Sequence, residues 1–220
     1  MELIFRLVEK YGGVFLQGLG YTLLLSVIAV AAGTVLGALV ALMRMSRVKP
    51  LNWLMSAYIE LIRGTPALLQ LFFFYLILPR WFLAVNPSKF VCVAVALVIN
   101  SSAYVSEIIR SGVQAVDRGQ TEAGLSLGLT RRQTMLRIVM PQAIKNILPA
   151  LGNEFVMVIK ETSLASTFFV GDLMSAFRTV QGNTYLVIEP LMIVGFIYFA
   201  LTFTLSKAVL RFERRLKASD

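Results

Sequence analysis

Leu19 to Met43 is an apolar run long enough to cross a bilayer. Similar runs recur at roughly 59–78, 90–109, 147–165 and 185–206. A transmembrane helix needs about 20 largely apolar residues, because in hydrocarbon every backbone polar group must be satisfied inside the segment. The reading is an all-α integral membrane protein, a single transmembrane domain over residues 1–220 with five transmembrane helices. The chain is 57% hydrophobic and only 15% charged, with mean hydropathy +0.75. No stretch is left for a second, soluble domain. Residues 1–18 mix Arg6, Glu9 and Lys10 with Leu3, Ile4, Phe5, Leu7 and Val8, which suits an interfacial helix. No basic n-region precedes a cleavage site, so no removable signal peptide is expected.

The net charge of +9 could suggest nucleic acid, but its distribution fits a membrane better. One side would hold Arg44, Arg47, Lys49, Arg110, Arg118, Arg131, Arg132, Arg137, Lys145, Lys207, Arg211, Arg214, Arg215 and Lys217. The other would hold only Arg6, Lys10, Arg80, Lys89 and Arg178. The positive-inside rule then places the N-terminus outside and the C-terminus inside. There is no His, and the one Cys, Cys92, lies in an apolar run, so no His/Cys metal site or disulfide framework is expected. No nucleophile–base pair is visible, and no catalytic residue is assigned. No G-x-x-x-x-G-K-[ST] phosphate loop occurs, so any ATP, with its Mg, belongs on a separate polypeptide.

Within the spans, Ala29, Gly33, Gly37 and Ala41 form a small-residue stripe that lets another helix approach closely. Arg63-Gly64-Thr65-Pro66 interrupts the second span, where proline bends or restarts a helix. Glu60 precedes Arg63 by one turn and can pair with it. Arg80 to Lys89 reads as a short external loop. On the third span Asn100, Tyr104, Glu107 and Ser111 share a narrow face. The fourth span holds Asn153, Glu154, Lys160 and Glu161. Each charge near mid-membrane costs about 2.5–3.5 kcal/mol, against about 0.3–0.6 kcal/mol returned by each large apolar residue. This helix therefore needs protein or a wet cavity around it. Asn153, Glu154, Met157, Lys160 and Glu161 fall within about 120° of one another. Lys160 reads either as an ion-pair partner of Glu154 or Glu161, or as part of a gate. Thr167 to Thr184 suits an external amphipathic helix.

Glu122 to Pro141, EAGLSLGLTRRQTMLRIVMP, is a polar, basic island between apolar segments. Thr121 to Leu127 can form two helical turns, and Gly128 can end them in the left-handed conformation. Thr130 and Gln133 have capping-box spacing for a second helix, and Pro141 would mark the next break. Glu122-Ala123, Gly128, Ile138 and Pro141 stand at the spacing of the E-A-A-x-x-x-G-x₉-I-x-L-P loop. In this respect the chain resembles the membrane subunits of bacterial ABC importers. Gly124 replaces the second Ala of that pattern and Met140 replaces its Leu. The RGTP run and NSSAYVSEIIRSG further resemble the polar amino-acid importers of the histidine/glutamine/arginine type.

That resemblance implies an inner-membrane permease working with a cytoplasmic ABC ATPase dimer. It also implies a second permease, a copy or a paralogue, and an external solute-binding protein. It implies ATPase coupling through Glu122, Ala123, Gly124, Gly128, Ile138 and Pro141. Substrate contacts are expected at Asn100, Asn153, Glu154, Met157 and Glu161. Glu154 would pair with a basic amino acid, arginine, lysine or histidine, as cargo. Two other readings stay open at this point. One is an ion-coupled transporter or channel using Glu107, Glu154 and Glu161 as a relay. The other is a membrane assembly subunit with tightly packed polar faces and no cargo site.

Overall fold

A computed structural model describes residues 2–81 and 86–217, and every element in them is helical. Helix α1 spans Glu2–Arg44, α2 Lys49–Arg63, α3 Ala67–Trp81 and α4 Lys89–Gln114. Then come α5 (Arg118–Ser126), α6 (Arg131–Thr134), a π-helical turn (Met135–Val139) and α7 (Met140–Glu161). A 3₁₀ segment (Thr162–Phe168), α8 (Leu173–Thr184) and α9 (Ile188–Lys217) complete the chain. By length and composition α1, α4 and α9 can each cross a membrane, and α2 with α3 can do so as a broken pair. Part of the expected loop from Arg80 to Lys89, residues 82–85, lies outside the described residues, as do 218–220.

The N-terminal eighteen residues are not a separate interfacial helix. They continue without a break into the first span, because nothing before Arg44 removes a backbone donor. Leu7 and Phe15 are buried there against Leu173, Ala176, Phe177, Val180, Ile193 and Val194 of α8 and α9. Gly18 touches α8 so closely that a Cβ would stand 2.9 Å from the Leu173 Cα. The small-residue stripe holds as expected: Ala29, Gly33, Gly37 and Ala41 are all buried. A Cβ on Gly37 would meet the Ser102 carbonyl oxygen at 2.7 Å, and one on Gly33 the Ser101 Cβ at 2.9 Å. α1 and α4 thus pack nearly backbone to backbone. A second core joins Leu25 and Ala29 to Leu71 of α3, Val93, Ala96 and Leu97 of α4, and Val158 of α7.

The second span, expected as one interrupted helix, is instead a pair bent by 106° at Gly64–Pro66. Pro66 has no N–H to give, and the Gly64 N–H makes the last bond, to the Glu60 carbonyl (2.8 Å). The freed carbonyls are not orphaned. Thr65 Oγ1 donates to Leu61 O (2.9 Å), and Gln70 Nε2 donates to Ile62 O (2.7 Å). Arg63 does not form the local pair with Glu60. Its guanidinium lies over the Tyr104 ring, 5.5 Å from the centroid.

Candidate functional site

The loop between α5 and α7 follows its sequence closely. Gly128 has φ +80°. Its N–H bonds Leu125 O (3.0 Å), and the Leu129 N–H bonds Gly124 O (3.1 Å). These two bonds are a Schellman close to α5. Thr130 and Gln133 form the reciprocal capping box, each side chain accepting from the other's N–H, at 3.3 and 2.9 Å. Pro141 does not break the chain, contrary to expectation. It sits in the first turn of α7 immediately after the π turn, where the wider winding takes up its missing donor. Gln142 Nε2 donates to Ile138 O (3.0 Å) and reaches Gln120 Oε1 (3.4 Å). Gly124 is buried, and a Cβ there would meet Thr134 Cγ2 at 2.8 Å and Ile138 Cδ1 at 2.9 Å. Glu122 and Ala123 remain exposed, as do Leu125 and Leu127. So α5 is pinned to the start of α7 on one side and presents an open mixed face on the other.

Deeper in the bundle two adjacent α4 residues reach in different directions. Asn100, 3% exposed, donates from Nδ2 to Gln70 Oε1 (2.9 Å). Ser101, fully buried, donates to Glu154 Oε1 (3.1 Å), and Glu154 is 9% exposed. Gly33 faces Ser101, so the carboxylate of α7 is approached through a serine that has no room for anything larger. Gln70 was not singled out in the sequence, yet it is the hub of the bent pair. It spends its amide on Ile62 O, Thr65 O (3.2 Å) and Thr65 Oγ1 (2.9 Å), and its carbonyl on Asn100. Only its place four residues after Pro66 in an apolar run could have signalled it.

The remaining expected cargo residues separate from these. Asn153, Met157 and Lys160 lie on the exposed side of α7, and Glu161 is half-buried. No ion pair joins Lys160 to Glu154 or Glu161 among the described residues. The polar face of α4 is also divided. Glu107 pairs with Arg44 (2.5 Å) and with Arg110, while Tyr104 lies under Arg63. Neither Asn100 nor Glu154 lines a described cavity. One of about 370 Å³ opens at the bend, beside Gln70, Thr65 and Tyr58. Another, of about 260 Å³, lies between α4, α7 and α9, lined by Ser111, Lys145, Asn146 and Glu213.

A mostly helical, apolar chain with a broken span, a capped basic loop and a buried carboxylate has the build of a membrane transport subunit. Residues 33–218 match the family of binding-protein-dependent transport system inner membrane components, and the chain belongs to that family. It is therefore a permease subunit of the inner membrane and not an enzyme. It is 43% identical over 205 residues to a probable glutamine ABC transporter permease, GlnM, of Bacillus subtilis, covering 93% of this chain and 94% of the relative. It is 39% identical to the arginine transport system permease ArtQ of the same organism, covering 93% of each. The L-cystine permease TcyB, also of Bacillus subtilis, is 38% identical over 94% of this chain and 88% of its own. Among solved structures, an amino acid ABC transporter determined with histidines superposes with TM-score 0.91 at 48% identity, covering 94% of this chain and 96% of that one. The MetNI methionine transporter, inward facing, shares the fold, with TM-score 0.77 at 16% identity.

Proposed function

We propose that the chain is the transmembrane subunit of an ATP-driven importer that moves polar, basic amino acids by alternating access. Five spans, with α7 as the fourth, leave the N-terminus outside and the α5 loop in the cytoplasm. α5 docks on a separate ATPase pair that holds ATP and Mg. A second permease, identical or paralogous, covers the exposed polar side of α7, and a solute-binding protein delivers cargo from outside. ATP-driven closure pushes α5. The Schellman close and the Gly124 packing make the loop a rigid joint, so the push passes through Ile138 and Pro141 into α7.

The observation that carries the cargo reading is Glu154. It is a carboxylate buried in a membrane helix whose one hydrogen-bonding side chain among the described residues is neutral, Ser101. An acidic group held there without a cationic partner is suited to a cationic ligand. Asn153, Met157 and Glu161 would complete the site on the face toward the second permease, while Asn100 would reach cargo only by leaving Gln70. The relatives include arginine, glutamine and cystine permeases at similar identity, so the choice rests on Glu154. The decisive measurement is uptake in proteoliposomes containing the full importer. Glu154→Gln should lower uptake of arginine, lysine and histidine at least tenfold relative to glutamine, about 1.4 kcal/mol of discrimination. Unchanged preference would sink the assignment.

A further inference from the structure

The cytoplasmic end of α9 carries a charged surface that the import cycle does not use. At 100° per residue Phe196, Ala200, Phe203, Lys207, Arg211 and Arg214 fall within about 80° of one another, and every one of them is exposed. The stripe runs from purely apolar to purely basic without leaving that face. Phe199 and Phe203 stack at 5.6 Å, and the Lys207 ammonium lies 5.4 Å from the Phe203 centroid. The opposite side of the helix is occupied: Val209 packs on Gly152 of α7, and Glu213 lines the cavity shared with Lys145. The acid of this segment is thus turned away from the basic face. None of Lys207, Arg211, Arg214 and Arg215 enters the ion pairs of the described residues.

The same face ends, toward the N-terminus of α9, in an apolar groove of about 580 Å³ between α1 and α9, with Phe15 and Leu16 on one wall and Phe196 and Ile197 on the other. From Lys207 to Ile197 is ten residues, about 15 Å of helix rise. One leaflet's hydrocarbon is also about 15 Å deep, half of a core of about 30 Å. We propose that this stripe is a binding site for an anionic phospholipid. Lys207, Arg211 and Arg214 of the stripe, with Arg215 at its edge, hold the headgroup, Phe203 and Phe199 flank the acyl chain, and its tip reaches the α1–α9 groove. A basic cluster directly beyond a span attracts anionic headgroups, each cation adding to the pull. The unbroken continuity with exposed phenylalanines of the span favours lipid over an acidic protein, which would have to reach Lys207 at headgroup depth.

The test uses the full chain reconstituted in phosphatidylcholine vesicles, with trace spin-labelled phosphatidylglycerol or spin-labelled phosphatidylcholine. The protein-bound fraction of each label gives the preference. Wild type should select phosphatidylglycerol several-fold, and added salt should reduce that selection. K207Q/R211Q/R214Q/R215Q should bring it to parity, whereas R131Q/R132Q, basic residues of the α5–α7 loop, should leave it intact. Should the fourfold variant not insert, the pairs K207Q/R211Q and R214Q/R215Q are read separately, and each should lower the preference. No selection by wild type, equal loss in R131Q/R132Q, or full retention in the α9 variants would overturn the site.

Discussion

Gln70 shows how a single side chain can stand in for a turn of helix. The bend at Pro66 strips α2 of its continuation; without Gln70 the Thr65 carbonyl and Oγ1 would be left with no donor, and Ile62 O with only a long contact from Thr65 Oγ1 (3.5 Å), inside a membrane protein. An unsatisfied buried polar group costs about 1–3 kcal/mol. Gln70→Leu frees the Thr65 carbonyl and the Asn100 amide and leaves Ile62 O only its long Thr65 contact, so it should destabilise the chain by about 2–4 kcal/mol on that basis. Asn100→Leu, which orphans only the Gln70 carbonyl, should cost less. Thermal unfolding of the purified variants in detergent gives the order, and equal losses would mean that Gln70 does not bridge the bend. At this scale Glu154 was legible because a carboxylate in an apolar run is conspicuous. Gln70 was not, because a neutral amide carries no such flag, and its partners are set by a bend that the sequence locates but does not orient. The Glu107–Arg44 pair was hidden for a related reason: its partners are 63 positions apart and share no local period.

Whole elements were more readable where their chemistry is local. The left-handed Gly128, the Thr130–Gln133 box and the four-residue small stripe each depend on residues within one or two turns, and each stands as the spacing implies. The misreadings came where geometry beyond the segment decides. Pro141 reads as a stop, yet the π turn before it lets the helix run on. The mixed N-terminal stretch reads as interfacial, yet α8 and α9 give its apolar side a surface to bury. The α5 loop supplies a test of rigidity. Gly128→Ala forces a side chain into φ +80°, at a cost of about 1–2 kcal/mol. Gly128→Asn, which tolerates that region better, should cost less. If the bend is what transmits the push, ATPase activity in the assembled importer should survive Gly128→Ala while uptake per ATP falls, and Gly128→Asn should recover most of it. Parallel loss of both activities would instead indicate failed docking.

For the molecule as a whole, the outstanding fact is that α7 is finished on one side and open on the other. Glu154, Val156, Val158 and Ile159 are buried against the chain's own helices, whereas Asn153, Met157 and Lys160 are exposed. A lipid-facing charge near mid-bilayer costs about 2.5–3.5 kcal/mol, so this polar side needs protein or water beside it. On the proposed arrangement the cover is a second permease, with a wet passage between. A cysteine at Met157 should then join two subunits through a short bis-maleimide in native membranes. One at Leu42, 63% exposed on the α1 face outside this strip, should not. The background is clean, because Cys92, 1% exposed, is the single native cysteine. A product of twice this chain's mass identifies the partner as a copy of it, because the reagent needs a thiol on each subunit. If Met157→Cys stays monomeric while Leu42→Cys joins, the two-permease passage runs along another face, and Asn153 and Met157 lose their place beside the cargo.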